Sequence, residues 1–154
     1  MTGSFTYTPI GVFRTPYLTT QSIPKTLGGA PSADAVIEVD PAYADGLLDI
    51  EHFSHLLVLF AFHQSTARPL RVYPPGQTRE RGVFATRSPH RPNPIGILTV
   101  ELTRREGTRL FVRGVDVVDG TPLLDIKPYL THFDCRPEAT RGWIEGETSG
   151  GVTP

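Results

Sequence analysis

I-G-I-L-T-V-E-L-T (residues 95–103) and L-F-V-R-G-V-D-V-V (residues 110–118), with R-E-G-T (105–108) between them, decide the fold. In the first run Ile97, Thr99 and Glu101 alternate with Leu98, Val100 and Leu102. That period of two belongs to a strand with one dry and one wet face. The second run alternates likewise, and the Gly-containing linker is short enough for a hairpin turn. Outward from this hairpin, Tyr7–Phe13, Ala35–Val39, Phe53–Phe62, Gly82–Thr86 and Leu123–Ile126 read as further strands. Pro41–Leu48 reads as one or two helical turns, with Asp40 as cap and Pro41 at the first helical position. Nowhere does a 3.6-residue period persist. Six to eight short strands separated by Gly/Pro turns predict an all-β fold: a small closed antiparallel β-barrel with long functional loops and at most one or two short helices.

Composition agrees with that class. Fifteen prolines and fifteen glycines fall between the apolar runs, where they serve turns. At 154 residues the chain is sized for one domain, read as residues 1–146 with a flexible tail over 147–154. No apolar run approaches the roughly 18 residues of a membrane span, and no secretory signal opens the chain. A single cysteine, Cys135, excludes an internal disulfide and a Cys-rich zinc site. These absences point to the cytoplasm and away from a membrane. The formal net charge of −1 requires any nucleic-acid contact to be local, and Arg79–Arg91, with only Glu80 opposing, is the candidate patch.

Three segments carry chemistry. In Arg87-Ser88-Pro89-His90-Arg91-Pro92-Asn93-Pro94-Ile95-Gly96, three prolines in six residues stiffen a loop and hold Arg87, Arg91 and Asn93 in set directions. Such a loop suits a polar ligand, since little ordering entropy is lost on binding. Either arginine can fork onto a carboxylate or phosphate. The same composition is equally that of a Pro-rich turn with solvated arginines. In Asp119-Gly120-Thr121-Pro122-Leu123-Leu124-Asp125-Ile126-Lys127-Pro128-Tyr129, a turn dipeptide leads into an acid, a base and a phenol. Those three could orient a substrate or transfer a proton, or be a surface ion pair worth little. His63-Gln64 leaves the most apolar strand, where polar residues often line a cavity mouth. The histidines show no metal-binding spacing, so no metal is expected, and no Gly-rich nucleotide loop is present.

These segments, with Ile10–Tyr17 and Phe53–Leu56, resemble the TsaA-like family of S-adenosylmethionine-dependent methyltransferases in order and spacing. A-T-R-S-P-x-R-P-N-P-I-G and D-G-T-P-L-L-D-I-K-P-Y are long and irregular, and the resemblance covers about residues 7–145. It implies a homodimeric β-barrel enzyme with S-adenosyl-L-methionine in a cleft near the subunit interface. It assigns cofactor contacts to Pro24, Lys25 and Thr26, to His63 and Gln64, to Arg87, Ser88 and Asn93, to Ile97, and to Asp119, Gly120, Thr121 and Pro122. The acceptor side falls to Asp125, Lys127, Tyr129 and Arg91. Lys25-Thr26 stands where the family usually has Arg-Gln, and His90 where Phe is common. The implied reaction is N-methylation of threonylcarbamoyladenosine in the anticodon loop of tRNA. The longer tRNA-modifying members carry a further C-terminal domain beyond the point where this chain stops. With the near-neutral charge, that keeps two alternatives open: a small-molecule acceptor on the same barrel, or a non-catalytic S-adenosylmethionine-binding protein.

Overall fold

In a computed structural model, residues 3–24 and 33–145 are described. The deciding hairpin is formed by β6 (Ile95–Glu106) and β7 (Arg109–Val115), antiparallel from Glu106↔Arg109 to Glu101↔Arg113. Around it stand β1 (Gly11–Arg14), β2 (Ala33–Val39), β3 (His55–Ala61) and β8 (Pro122–Pro128). The six close into a barrel in the order β1-β2-β7-β6-β3-β8, every pairing antiparallel. A separate two-stranded hairpin pairs β4 (Arg71–Val72) with β5 (Arg81–Gly82).

The core grows out of the alternation. Phe13, Ile37, Leu56, Val58, Val100, Leu110, Val112 and Leu123 point inward and are fully or almost fully buried. Phe60 meets Phe13 edge-on at 5.8 Å and Phe62 at 5.1 Å. Ring packing of this kind fills the centre of a small barrel.

Element boundaries differ from the sequence reading in ways that have causes. Residues 3–9 are exposed and precede β1, because pairing with β2 and β8 begins only at Gly11. The expected strand over Gly82–Thr86 is instead a 3-10 turn at Val83–Ala85, closed by Thr86 donating to the Val83 carbonyl through both its amide and its hydroxyl. Pro41–Leu47 forms 3-10 turns, with the Asp40 carboxylate accepting from the Ala42 amide as a cap. A short helix, α1 (Thr131–Asp134), and a 3-10 turn at Gly142–Ile144 come after the barrel. The expected tail over 147–154, and Lys25 and Thr26, lie outside the described residues.

Antiparallel closure fixes where the connections emerge. β1, β3 and β7 finish at one rim of the barrel, and β2, β6 and β8 begin there. The connections β1–β2, β3–β6 and β7–β8 leave from that rim, and the 40–54 connection with its 3-10 turns lies at the other.

Candidate functional site

The longest excursion, residues 62–94, leaves β3 and returns to β6. Its feet are tied by the Phe62 amide donating to the Pro94 carbonyl at 2.8 Å. Farther out, the buried Ser65 hydroxyl pairs with His90 Nδ1 at 2.8 Å. The Pro-rich loop is also braced from within. Arg91 Nη1 donates to the carbonyls of Thr86 (3.2 Å) and Ser88 (3.4 Å). The Ser88 hydroxyl accepts from the His90 amide at 3.2 Å, and the Ser88 amide donates to the Thr86 hydroxyl at 3.3 Å. From outside, Trp143 Nε1 donates to the Ala85 carbonyl at 2.8 Å, and the Arg81 guanidinium lies 4.9 Å above the Trp143 ring. Prolines and these bonds leave Arg87 and Asn93 exposed on a stiff frame.

The 119–122 turn meets the same rim at the start of β8, the strand beside β3. Asp119 Oδ1 accepts from the Thr15 amide at 3.0 Å, and Thr15 Oγ1 donates to the Val117 carbonyl at 2.8 Å. The Gly120 amide donates to the Phe13 carbonyl (2.8 Å), and the Phe13 amide to the Thr121 carbonyl (2.9 Å). Thr121 is buried, its hydroxyl donating to the Val118 carbonyl at 2.7 Å. Asp119 and Thr121 thus fix the turn to the end of β1 and present its backbone at the rim.

The two segments also sense one another electrostatically. Asp116, just past β7, reaches solvent, yet enough protein surrounds its carboxyl for desolvation to push its pKa up. The hydrogen bond from its own backbone and the positive charge of Arg87 pull in the other direction. The loop arginine is therefore close enough to the 115–121 segment for its field to be felt there.

The expected site residues divide into two groups. His63 and Gln64 are exposed at the end of β3, and Pro24 is exposed on the connection that leaves β1. With Arg87, Ser88, Asn93 and residues 119–122 they belong to one rim. Ile97 instead points outward from β6, opposite Leu59, and Leu59 also pairs with Asp125 of β8. A register shift at Leu59/Phe60 turns Asp125 and Lys127 onto the outer wall, where Lys127 Nζ meets Asp125 Oδ2 at 2.8 Å. Tyr129 stands at the far end, its amide bonded to the carbonyl of His55, where β3 starts. Burial first, and then the Cys135 thiol and Asp134, raise the Tyr129 pKa. Ile97, Asp125 and Lys127 thus face the outer wall, on the strands whose ends form the rim.

Sequence reasoning missed Thr15, Ser65, Asp116 and Trp143. All act through partners far along the chain. Thr15 and Asp119 are 104 residues apart, and Trp143 and Ala85 are 58 apart. No local pattern marks such pairs. Among the described residues, no group of three or more His, Cys, Asp or Glu gathers as a metal site. No described helix is long and apolar enough to cross a membrane.

Comparison with known proteins adds to this geometry. The family described as tRNA-methyltransferase O N-terminal domain matches residues 12–135. A probable S-adenosyl-L-methionine-binding protein of Pyrococcus abyssi is 45% identical over 139 residues, covering 90% of this chain and 76% of the relative. The tRNA (adenine(37)-N6)-methyltransferase of Escherichia coli is 39% identical over 155 residues, covering 92% of this chain and 65% of that enzyme. The crystal structure of TrmO from Pseudomonas aeruginosa superposes with a TM-score of 0.75 at 38% identity, covering 91% of this chain and 62% of that one. The chain thus spans a little under two thirds of the last two proteins.

Proposed function

The chain belongs to the tRNA-methyltransferase O N-terminal domain family, and from that premise we propose that it transfers a methyl group from S-adenosyl-L-methionine to N6 of an anticodon-loop adenosine of tRNA in the cytoplasm. The observation that carries this reading is the shared rim: the proline-braced loop and the 119–122 turn leave the same end of the barrel, on strands joined through β3, with Phe60 opposite both Gly96 and Leu123.

The donor set fits the cofactor's chemistry. The exposed Arg87 guanidinium suits a carboxylate. The polar pair His63-Gln64 and the backbone of residues 119–122 suit the remaining polar groups, and Ile97 offers an apolar face. When bound, S-adenosylmethionine supplies a methyl carbon already activated by its sulfonium. What remains for the protein is placement, with the reacting atoms about 3–3.5 Å apart and in line. A stiff loop loses little entropy in providing it. Arg91, spent on the Thr86 and Ser88 carbonyls, acts by holding Arg87 and Asn93 in position. The Asp125–Lys127 pair and the Tyr129 phenol serve the acceptor side, Lys127 as the cation for an acceptor carboxylate.

A homodimer belongs to the same proposal. The outer wall of β6, β3 and β8 exposes Ile95 and Ile97 at 42% and 49%, next to Leu57 and Leu59. A second copy is the occupant that matches this wall, because the Asp125–Lys127 pair offers both charge signs for reciprocal contacts across a two-fold axis.

The test combines two measurements. Calorimetry should give a saturable heat with S-adenosylmethionine, and labelled cofactor with total tRNA should place the label in an adenosine nucleoside. Arg87→Ala should lower transfer by about 10²-fold, in the range of losing one positioned charged contact. Cofactor binding with no label in tRNA would reject the acceptor. No heat at all would reject the site.

A further inference from the structure

The β4–β5 hairpin carries none of the residues assigned to the cofactor or the acceptor; Arg81 alone touches the bracing of the rim loop, through Trp143. It stands out from the barrel within the 62–94 excursion. Its turn is Pro74-Pro75-Gly76-Gln77, closed by the Gln77 amide donating to the Pro74 carbonyl at 3.0 Å, with Gly76 at φ +74°. A proline followed by a left-handed glycine is a type II turn, so the hairpin tip is stiff.

Charge is concentrated here. Residues 63–94 carry six arginines and one acidic residue, Glu80, although the whole chain has a formal net charge of −1. The rest of the molecule is therefore a net acid. On the hairpin, Arg71, Tyr73, Thr78 and Arg79 line a shallow open concavity of about 610 Å³. Glu80 offsets Arg71 weakly, at 3.8 Å between exposed side chains. Tyr73 is 63% exposed between these arginines, with nothing of the core to cover it. Arginines beside an exposed aromatic ring match single-stranded RNA, in which phosphates alternate with bases that stack on π faces.

Position adds the second argument. Arg79 is eight residues from Arg87, so no more than about 28 Å of extended chain separates them. A strand that delivers one nucleotide to the rim therefore has the hairpin within reach of its neighbouring nucleotides. The acidic remainder of the barrel disfavours other paths for a polyanion.

We infer that the β4–β5 hairpin is a docking site for the RNA backbone, with Arg71 and Arg79 on phosphates and Tyr73 under a base, next to the methyl-transfer rim. This rests on tRNA being the methyl acceptor and names the surface that holds it.

The experiment compares two double charge reversals in the full chain. Arg71→Glu/Arg79→Glu alters the hairpin. Arg104→Glu/Arg109→Glu makes the same change in net charge at the opposite end of the barrel, on exposed positions of the β6–β7 hairpin. Affinity for total tRNA is measured by fluorescence anisotropy across a salt series, with melting temperature and cofactor heat as controls for folding. The hairpin variant should bind at least tenfold more weakly, and its slope of log K against log salt should flatten by about 1.5 to 2, as for two lost phosphate contacts. The opposite-end variant should stay within about threefold of wild type, because screening limits charge effects to about 10 Å at 0.1 M salt. Tyr73→Ala should weaken binding several-fold with the slope unchanged, and supplies the uncharged check if the hairpin variant misfolds. Equal losses in both charge variants, or no loss in the hairpin variant and Tyr73→Ala, would overturn the inference while leaving tRNA as the acceptor. A wild type that shows no salt-dependent tRNA binding would overturn the tRNA acceptor, and the docking site with it.

Discussion

Gly96 closes the Pro-rich motif, and its role there is steric. A Cβ would run into the edge of the Phe60 ring and close to Phe62. Phe60 cannot yield, being buried at 2% exposure and packed edge-on against both Phe13 and Phe62. Gly96→Ala should therefore destabilise the protein by about 1–3 kcal/mol, the range for overpacking a filled core. Urea unfolding at equilibrium would measure it, and an unchanged midpoint would show that the ring has room to move. The motif's Gly could be read in the sequence as part of a turn. Its contact with Phe60 could not, because that contact depends on β3–β6 register, with Phe60 opposite Gly96. Asp119 makes the same point. Its place in a D-G turn is legible, whereas its bond to the Thr15 amide is set by closure of the barrel between β1 and β8.

Among the elements, strands with strict alternation were legible and the excursion was not. β6 and β7 announce themselves through Leu98, Val100, Leu110 and Val112, whose burial tracks the period of two. The stretch from Arg68 to Arg91 has no such period. It is shaped by prolines, a 3-10 turn and long-range bonds, so Gly82–Thr86 reads as a strand although only Arg81–Gly82 pairs, with Arg71–Val72. Trp143 is the distant strut of this element. Trp143→Phe would remove the 2.8 Å donation to Ala85 and keep a ring beneath Arg81. One net hydrogen bond contributes about 0.5–1.5 kcal/mol, so cofactor affinity should fall about two- to tenfold if the strut pre-organises the loop. Amide exchange in residues 85–91 should quicken in parallel, while the global unfolding midpoint changes little. Faster exchange with unaltered affinity would separate the strut from the site.

For the whole molecule, the expected site residues occupy two faces, the rim and the outer wall. Tyr129 is seven residues beyond Pro122, about 23 Å along an extended strand at roughly 3.3 Å per residue. Asp125 and Lys127 lie on the outer wall, and the loop carrying Arg87 rises from the rim. If a two-fold assembly packs the wall of one copy over the rim of the other, Asp125, Lys127 and Tyr129 reach the site from the second copy, while Arg91 stays in the rim loop. That arrangement makes a quantitative prediction. Arg87→Ala and Asp125→Ala homodimers should each be nearly inactive. After mixing equal amounts and allowing subunits to exchange, half of the dimers are mixed. In each mixed dimer one site carries both substitutions and the other carries neither, so about a quarter of wild-type activity should return for a two-fold assembly with shared sites. Sites confined to single chains would each keep one defect, and mixing would restore nothing. Methyl transfer measured before and after exchange distinguishes the two, and sedimentation of the wild type as a monomer at assay concentration would remove the shared site altogether.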